Sequence, residues 1–147
     1  MLDRVQDPRN LGAILRTARA FGIGGVVLAR DRSAGVTSVV VSASAGFLFG
    51  LPIAQVPNLV RAMEALKAAG FWLVGLAPRD GTPIGRFEPP SRPALVAGGE
   101  GEGLRALVDR SCDFTVTIPM IAGVESLNVS VAIGVALYAI VGCRASV

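Results

Sequence analysis

The run "GVESLNVSVAIGVALYAIVGC" sets two polar side chains, Ser126 and Asn128, at the mouth of one of the most apolar stretches of the chain. A hydroxyl and a carboxamide so placed either cap a helix or hold something by hydrogen bonds. Near the other end, Arg9 and Arg16 fall together on a helical wheel at about 100° per residue, opposite a stripe of Leu11, Ile14, Leu15 and Ala18. Guanidinium groups sharing a face are either an ordinary solvated surface or a set of planar phosphate contacts. A third segment, "GGEGEGL", follows an apolar run and opens a helical one. Its Gly101, Gly103 and Ala106 fit a G-x-G-x-x-A dinucleotide loop. Glu100 and Glu102 would repel a pyrophosphate there, so a cationic ligand or one without phosphate is more compatible. S-adenosylmethionine, with its sulfonium, is such a ligand.

Composition removes much other chemistry. The chain has no histidine, which excludes Ser-His-Asp and Cys-His nucleophilic schemes and His-ligated metal sites. Cys112 and Cys143 lie far apart without zinc-type spacing, so reduced buried thiols and a cytoplasmic location are expected. No metal is expected. Of the basic residues only Lys67 is a lysine, and the net charge of +3 is concentrated toward residues 1–32, where six arginines face three aspartates. Hydrophobic residues make up 52% and charged residues 17% of the 147 positions, which points to one apolar domain with some surface covered by a partner, most simply a second copy. The start "MLDRVQDPRN" has no signal-peptide pattern, and the run from Leu127 to Cys143 is shorter than the roughly 18 residues of a membrane span.

The elements that must position these groups follow from period and punctuation. "DPRNLGAILRTARAFG" reads as a helix with Asp7 as N-cap, Pro8 in the first turn and Gly22 as its stop. Gly12 in its middle costs about 1 kcal/mol relative to alanine and predicts the close approach of another backbone or a ligand. "GVVLA", "IAQV", "FWLVGLA", "ALVAGG" and "FTVTIP" read as strands. Helices are expected over "PNLVRAMEALKAAG", after "EGEGLRALVDRSC" begins, and from about Leu127. "PRDGTPIGRFEPPSRP" reads as a Pro-rich loop. This alternation predicts an α/β domain, a mostly parallel sheet with helices on both faces, binding ligands at the carboxyl ends of its strands.

Three blocks, "DRVQDPRNLGAILRTARAFGIGGVVL", "LVAGGEGEGL" and "IPMIAGVESLNVSVAIGVAL", resemble in order and spacing the motifs of the SpoU (TrmH-like) RNA ribose methyltransferases of the SPOUT superfamily. The resemblance implies a deep trefoil knot in the C-terminal part, S-adenosylmethionine bound within it, and a homodimer. It also implies roles: Asn10, Arg16, Glu100, Ser126 and Asn128 as catalytic-site residues, and Leu76, Ala77, Gly98, Gly99, Gly101, Ile118, Met120 and Leu127 around the cofactor. Arg9, Arg16 and Arg19 become the candidate RNA contacts. Ala122 departs from the family's usual glycine, and no basic residue lies between Arg32 and Arg61. The chain begins almost at the first block, so residues 1–147 are expected to be a catalytic domain, with the RNA-binding domain that family members carry lying outside it.

The implied reaction is methylation of a ribose 2′-hydroxyl in structured RNA, ribosomal more than transfer RNA. Arginine holds its proton above pH ~12 and makes a poor base. Arg16 is therefore expected to orient phosphate and offset charge on the ribose oxygen, while Glu100, Ser126 and Asn128 position groups by hydrogen bonds. The alternative is an inactive RNA-binding or assembly module of the same fold.

Overall fold

In the computed structural model, which describes residues 1–99 and 103–141, short apolar runs and helical segments alternate as their periods predict. The order is β1 (Leu2–Asp3), α1 (Pro8–Ala20), β2 (Val26–Ala29), α2 (Ser38–Ala43), β3 (Ile53–Val56), α3 (Leu59–Ala68) and β4 (Trp72–Leu76). Then come β5 (Thr82–Pro83), a 3-10 turn (Ile84–Arg86), β6 (Pro93–Gly98), α4 (Ala106–Arg110), β7 (Phe114–Thr117) and α5 (Val129–Ile140). The strands form one seven-stranded sheet in the order β3-β2-β1-β6-β4-β7-β5. Their pairings are parallel, with Leu2 opposite Leu28 on one side and Ala97 on the other.

Successive strand residues point to opposite faces, so a strand apolar at every position is covered twice. In β2, Val26 and Leu28 pack with Leu11, Ile14 and Leu15 of α1 and with Ile133 and Leu137 of α5. Its Ala29 packs the other way, with Leu59 and Met63 of α3 and Val108 of α4. A third cluster joins Val74, Val116 and Ile84 to Ala136 and Ile140 of α5. The helix α5 is thus shared between two parts of the core. Among the described residues no helix is long and apolar enough to cross a membrane.

The first helix forms where its signals lie. Asp7 accepts from the Arg9 backbone N–H at 2.7 Å, Pro8 occupies the first turn, and Gly22 adopts φ 65° just beyond the end. Gly12 meets another backbone: a Cβ there would collide with the Ala43 methyl and stand 2.9 Å from the Val40 carbonyl oxygen.

Three elements differ from the sequence reading. β1 has only two residues, too few for any periodicity, yet it is an interior strand of the sheet, between β2 and β6. The Val-rich stretch of α2 lacks helical propensity and is held by packing Val40 against the core beside Gly12. The expected Pro-rich loop contains β5, where Pro83 is tolerated because the strand lies at the sheet edge and need not donate.

Candidate active site

Loops leaving the carboxyl ends of β4, β6 and β7 meet the start of α5 around a cavity of about 330 Å³. The wall is mostly apolar, with Leu76, Ala77, Pro78, Ile118, Met120, Leu127, Val129 and Ala132 on its sides. The floor is backbone from Ala97, Gly98, Gly99 and Gly103. Glycine is required in that floor: a Cβ on Gly98 would strike the Gly103 carbonyl, and one on Gly99 would strike the Arg4 carbonyl. No described residue of the lining carries a charged side chain. Apolar walls and a backbone floor, with no guanidinium or ammonium group among the described lining residues, accommodate an adenosine and a sulfonium and offer little to a pyrophosphate.

The polar edge of the cavity is Ser126 and Asn128. Asn128 both caps and holds. Its Oδ1 accepts from the Ser130 backbone N–H at 2.9 Å and from the Ser130 hydroxyl at 2.6 Å, satisfying the helix start. Its Nδ2 donates to Oδ1 of Asn10 at 3.1 Å, joining the third sequence block to the first across 118 positions.

Of the sequence-derived candidates, Leu76, Ala77, Gly98, Gly99, Ile118, Met120, Ser126, Leu127 and Asn128 line this one cavity, with Asn10 bonded to its rim. Arg9, Arg16 and Arg19 are exposed along α1 and do not line it. The Arg16 guanidinium lies over the Phe47 ring, 5.9 Å from its centroid. Glu100 and Gly101 lie outside the described residues, as does Cys143.

Sequence reasoning missed an ion pair beneath the glycine loop. The fully buried carboxylate of Asp3, at the end of β1, accepts from Arg105 Nε at 2.9 Å and from its Nη2 at 2.7 Å, and also from its backbone N–H at 3.2 Å. Hydrogen bonding to Asp3 raises the Arg105 pKa above its ordinary value. Arg105 is the residue before α4, so this pair ties the start of that helix to the end of β1. Only the aspartate in "LDRV" hinted at it, since a charge set between core residues needs a partner. Behind Gly75, burial pushes the Cys112 thiol up to about 11, and its Sγ faces the Val108 carbonyl at 3.4 Å.

Comparison with known proteins gives this geometry a context. The SpoU rRNA Methylase family matches residues 1–138. An uncharacterized tRNA/rRNA methyltransferase of Synechocystis sp. is 46% identical over 140 residues, which are 95% of this chain and 36% of that protein. The SpoU methyltransferase AviRb from Streptomyces viridochromogenes, solved in complex with the cofactor AdoMet, is 35% identical with a TM-score of 0.88, covering 97% of this chain and 58% of that one. An AdoMet-bound rRNA methyltransferase from Sinorhizobium meliloti is 31% identical with a TM-score of 0.91, covering 99% and 56%. The chain therefore spans about a third to just over half the length of these relatives. A match over nearly all of its length, on the same parallel α/β sheet, makes the chain a member of the SpoU rRNA methylase family.

Proposed function

We propose that the chain is a catalytic domain that methylates a ribose 2′-hydroxyl in structured RNA, ribosomal more than transfer RNA, with S-adenosylmethionine as donor. The observation that carries this reading is the glycine-floored cavity, without a charged side chain among its described lining residues, with the Asn128–Asn10 pair at its rim. Gly98, Gly99, Leu76, Ala77, Ile118, Met120 and Leu127 would hold the donor, which supplies an activated methyl group when bound. The family match and the AdoMet complexes of AviRb and the Sinorhizobium enzyme support that donor. The latter protein, an rRNA methyltransferase, supports the preference for ribosomal RNA. The family likeness also supports a C-terminal trefoil knot around this cavity.

The remaining work falls to side chains of this chain. Ser126 offers a hydroxyl at the cavity edge, able to donate to or accept from the ribose. The Asn128 amide, fixed by Ser130 and Asn10, holds the rim in one geometry, which matters because displacement demands near alignment of the reacting atoms. Arg16 stands outside the cavity on the same helix as Asn10, about 9 Å along the axis from it at 1.5 Å per residue. That placement suits a phosphate clamp that sets the ribose by its backbone.

The second copy is part of the same reading. Val131, Val135 and Tyr138 leave an exposed apolar face on α5, and a homodimer would cover it. The protein would act in the cytoplasm.

Thermal unfolding with and without S-adenosylmethionine, followed by transfer of labelled methyl to ribosomal and transfer RNA, tests the function. Binding should raise Tm, and nuclease digestion of the product should place the label on ribose. Arg16→Ala should cut methyl transfer by about 100-fold with donor affinity unchanged, and Arg16→Lys should also be poor. Absence of any Tm rise at millimolar donor would defeat the cofactor assignment. Label on a base would defeat the ribose assignment.

A further inference from the structure

We propose that Phe47 and Phe49, with Arg16 and Arg19 beside them, form a stacking site for an unpaired RNA base next to the methylated segment. The inference rests on the RNA methyltransferase reading above. Phe47 is 51% exposed and Phe49 is 69% exposed, unusual for two large apolar rings two residues apart. They are presented by a fixed turn. Ser44 is fully buried with its hydroxyl donating to the Val41 carbonyl at 2.9 Å, and Ala45 and Gly46 both take left-handed backbone, φ 51° and 77°. A left-handed alanine persists only where the surroundings enforce it.

Between this turn and the end of α1 lies an open concavity of about 430 Å³, bordered by Arg19, Ala20, Ala45, Gly46, Phe47 and Phe49. The Arg16 guanidinium already sits 5.9 Å from the Phe47 ring centroid, so cation and π-face are arranged together. Electrostatics select the occupant. No carboxylate occurs in α1 or anywhere between Asp31 and Glu64, while Arg9, Arg16 and Arg19 are exposed along this helix. A polyanion with planar bases complements both features, the arginines taking phosphate and the rings taking a base.

A second copy of the chain is the weaker occupant, because docking this patch on itself would set arginines against arginines. The apolar face of α5 also lies on a different flank of α1. The Thr17 methyl is 3.8 Å from where a Gly134 Cβ would stand, and Phe21 pairs with Tyr138 at 6.2 Å, whereas Gly12 and Arg16 lean toward α2 and its turn. Along α1, Arg16 and Arg19 stand about 9 and 14 Å from Asn10 at 1.5 Å per residue.

The test uses the full chain and a uridine-rich single-stranded oligoribonucleotide carrying one 2-aminopurine, whose fluorescence reports stacking. Wild-type protein should bind and quench it. Phe49→Ala and Phe47→Ala should each weaken binding by roughly 5- to 100-fold and lose the quench, leaving the salt slope unchanged, while Phe49→Trp should bind as well or better. S-adenosylmethionine affinity, by calorimetry, should be the same for all. Wild-type binding of the donor with RNA affinity unmoved by either alanine variant would overturn the stacking site alone. So would no RNA binding by the wild type, or a shift from dimer to monomer in sedimentation caused by the alanine variants. Loss of donor binding by the wild type would instead overturn the underlying function.

Discussion

The Asn128 side chain serves two elements at once, its oxygen capping α5 through Ser130 and its amide nitrogen tying that helix start to Asn10 on α1. The two duties separate by substitution. Asn128→Asp keeps the capping oxygen but replaces the donor by an oxygen facing the Asn10 carbonyl oxygen. Its Tm should stay near the wild-type value while methyl transfer falls at least about 10-fold, a loss of one well-placed hydrogen bond to a charged clash. Asn128→Ala loses both and should unfold about 1 kcal/mol more easily. Wild-type activity in Asn128→Asp would show that the tie to Asn10 is dispensable.

The Asp3–Arg105 pair should respond asymmetrically to its two deletions. Arg105→Ala strands a fully buried carboxylate and should cost about 3 kcal/mol, the lower end for breaking a buried pair, since the Arg105 side chain is itself 41% exposed. Asp3→Asn leaves a guanidinium able to turn to water and should cost about half as much. Urea midpoints for the two variants check the order, and equal midpoints would contradict it.

At Gly12 the helix-propensity argument and the packing argument oppose each other. Alanine would gain about 1 kcal/mol in an exposed helix, but here its methyl collides with Ala43, an overpacking cost of about 1–3 kcal/mol. Gly12→Ala should therefore lower Tm, and adding Ala43→Gly should recover part of the loss. A higher Tm for the single variant would refute the close contact.

Cys112 should be a slow nucleophile. Burial raises its thiol to about 11, which favours the protonated form, so at pH 8 the thiolate fraction is roughly one in a thousand, against about one in ten for a thiol of pKa 9. Peptide mapping after iodoacetamide treatment should find Cys112 largely unmodified at pH 8, with modification rising toward pH 11. Because the folded value exceeds the unfolded one, the associated stability is intact below pH 9 and declines between 9 and about 11.

Much of the scaffold was legible because its signals are local. Asp7, Pro8 and Gly22 bracket α1 in both sequence and structure, and the continuous apolar runs of β2, β4 and β6 announced strands covered on both faces. Gly12 was legible as an anomaly, although only the structure names Ala43 and Val40 as what approaches it. The two-residue β1 had no period to read, and α2 exists through tertiary packing that overrides its valines. The cavity lining was named from the resemblance of three blocks. The Asp3–Arg105 pair carries no motif, and neither does the exposure of Phe47 and Phe49, because burial is a property of the folded chain.

The placement of β1 has a kinetic consequence. Leu2 and Asp3 sit between β2 and β6, with Leu2 paired to Ala97 and Asp3 to Gly98, so the middle of the sheet is completed by residues about 95 positions apart. The cavity floor at Gly98 and Gly99 begins where that pairing ends, and its rim waits on Asn128 reaching Asn10. Such long loops must close before their contacts repay the lost entropy, and folding slows as contacts become more distant in sequence. Refolding chains should consequently acquire most of their helical signal well before they can bind a ligand, making ligand capture the late clock of assembly and helix content the early one.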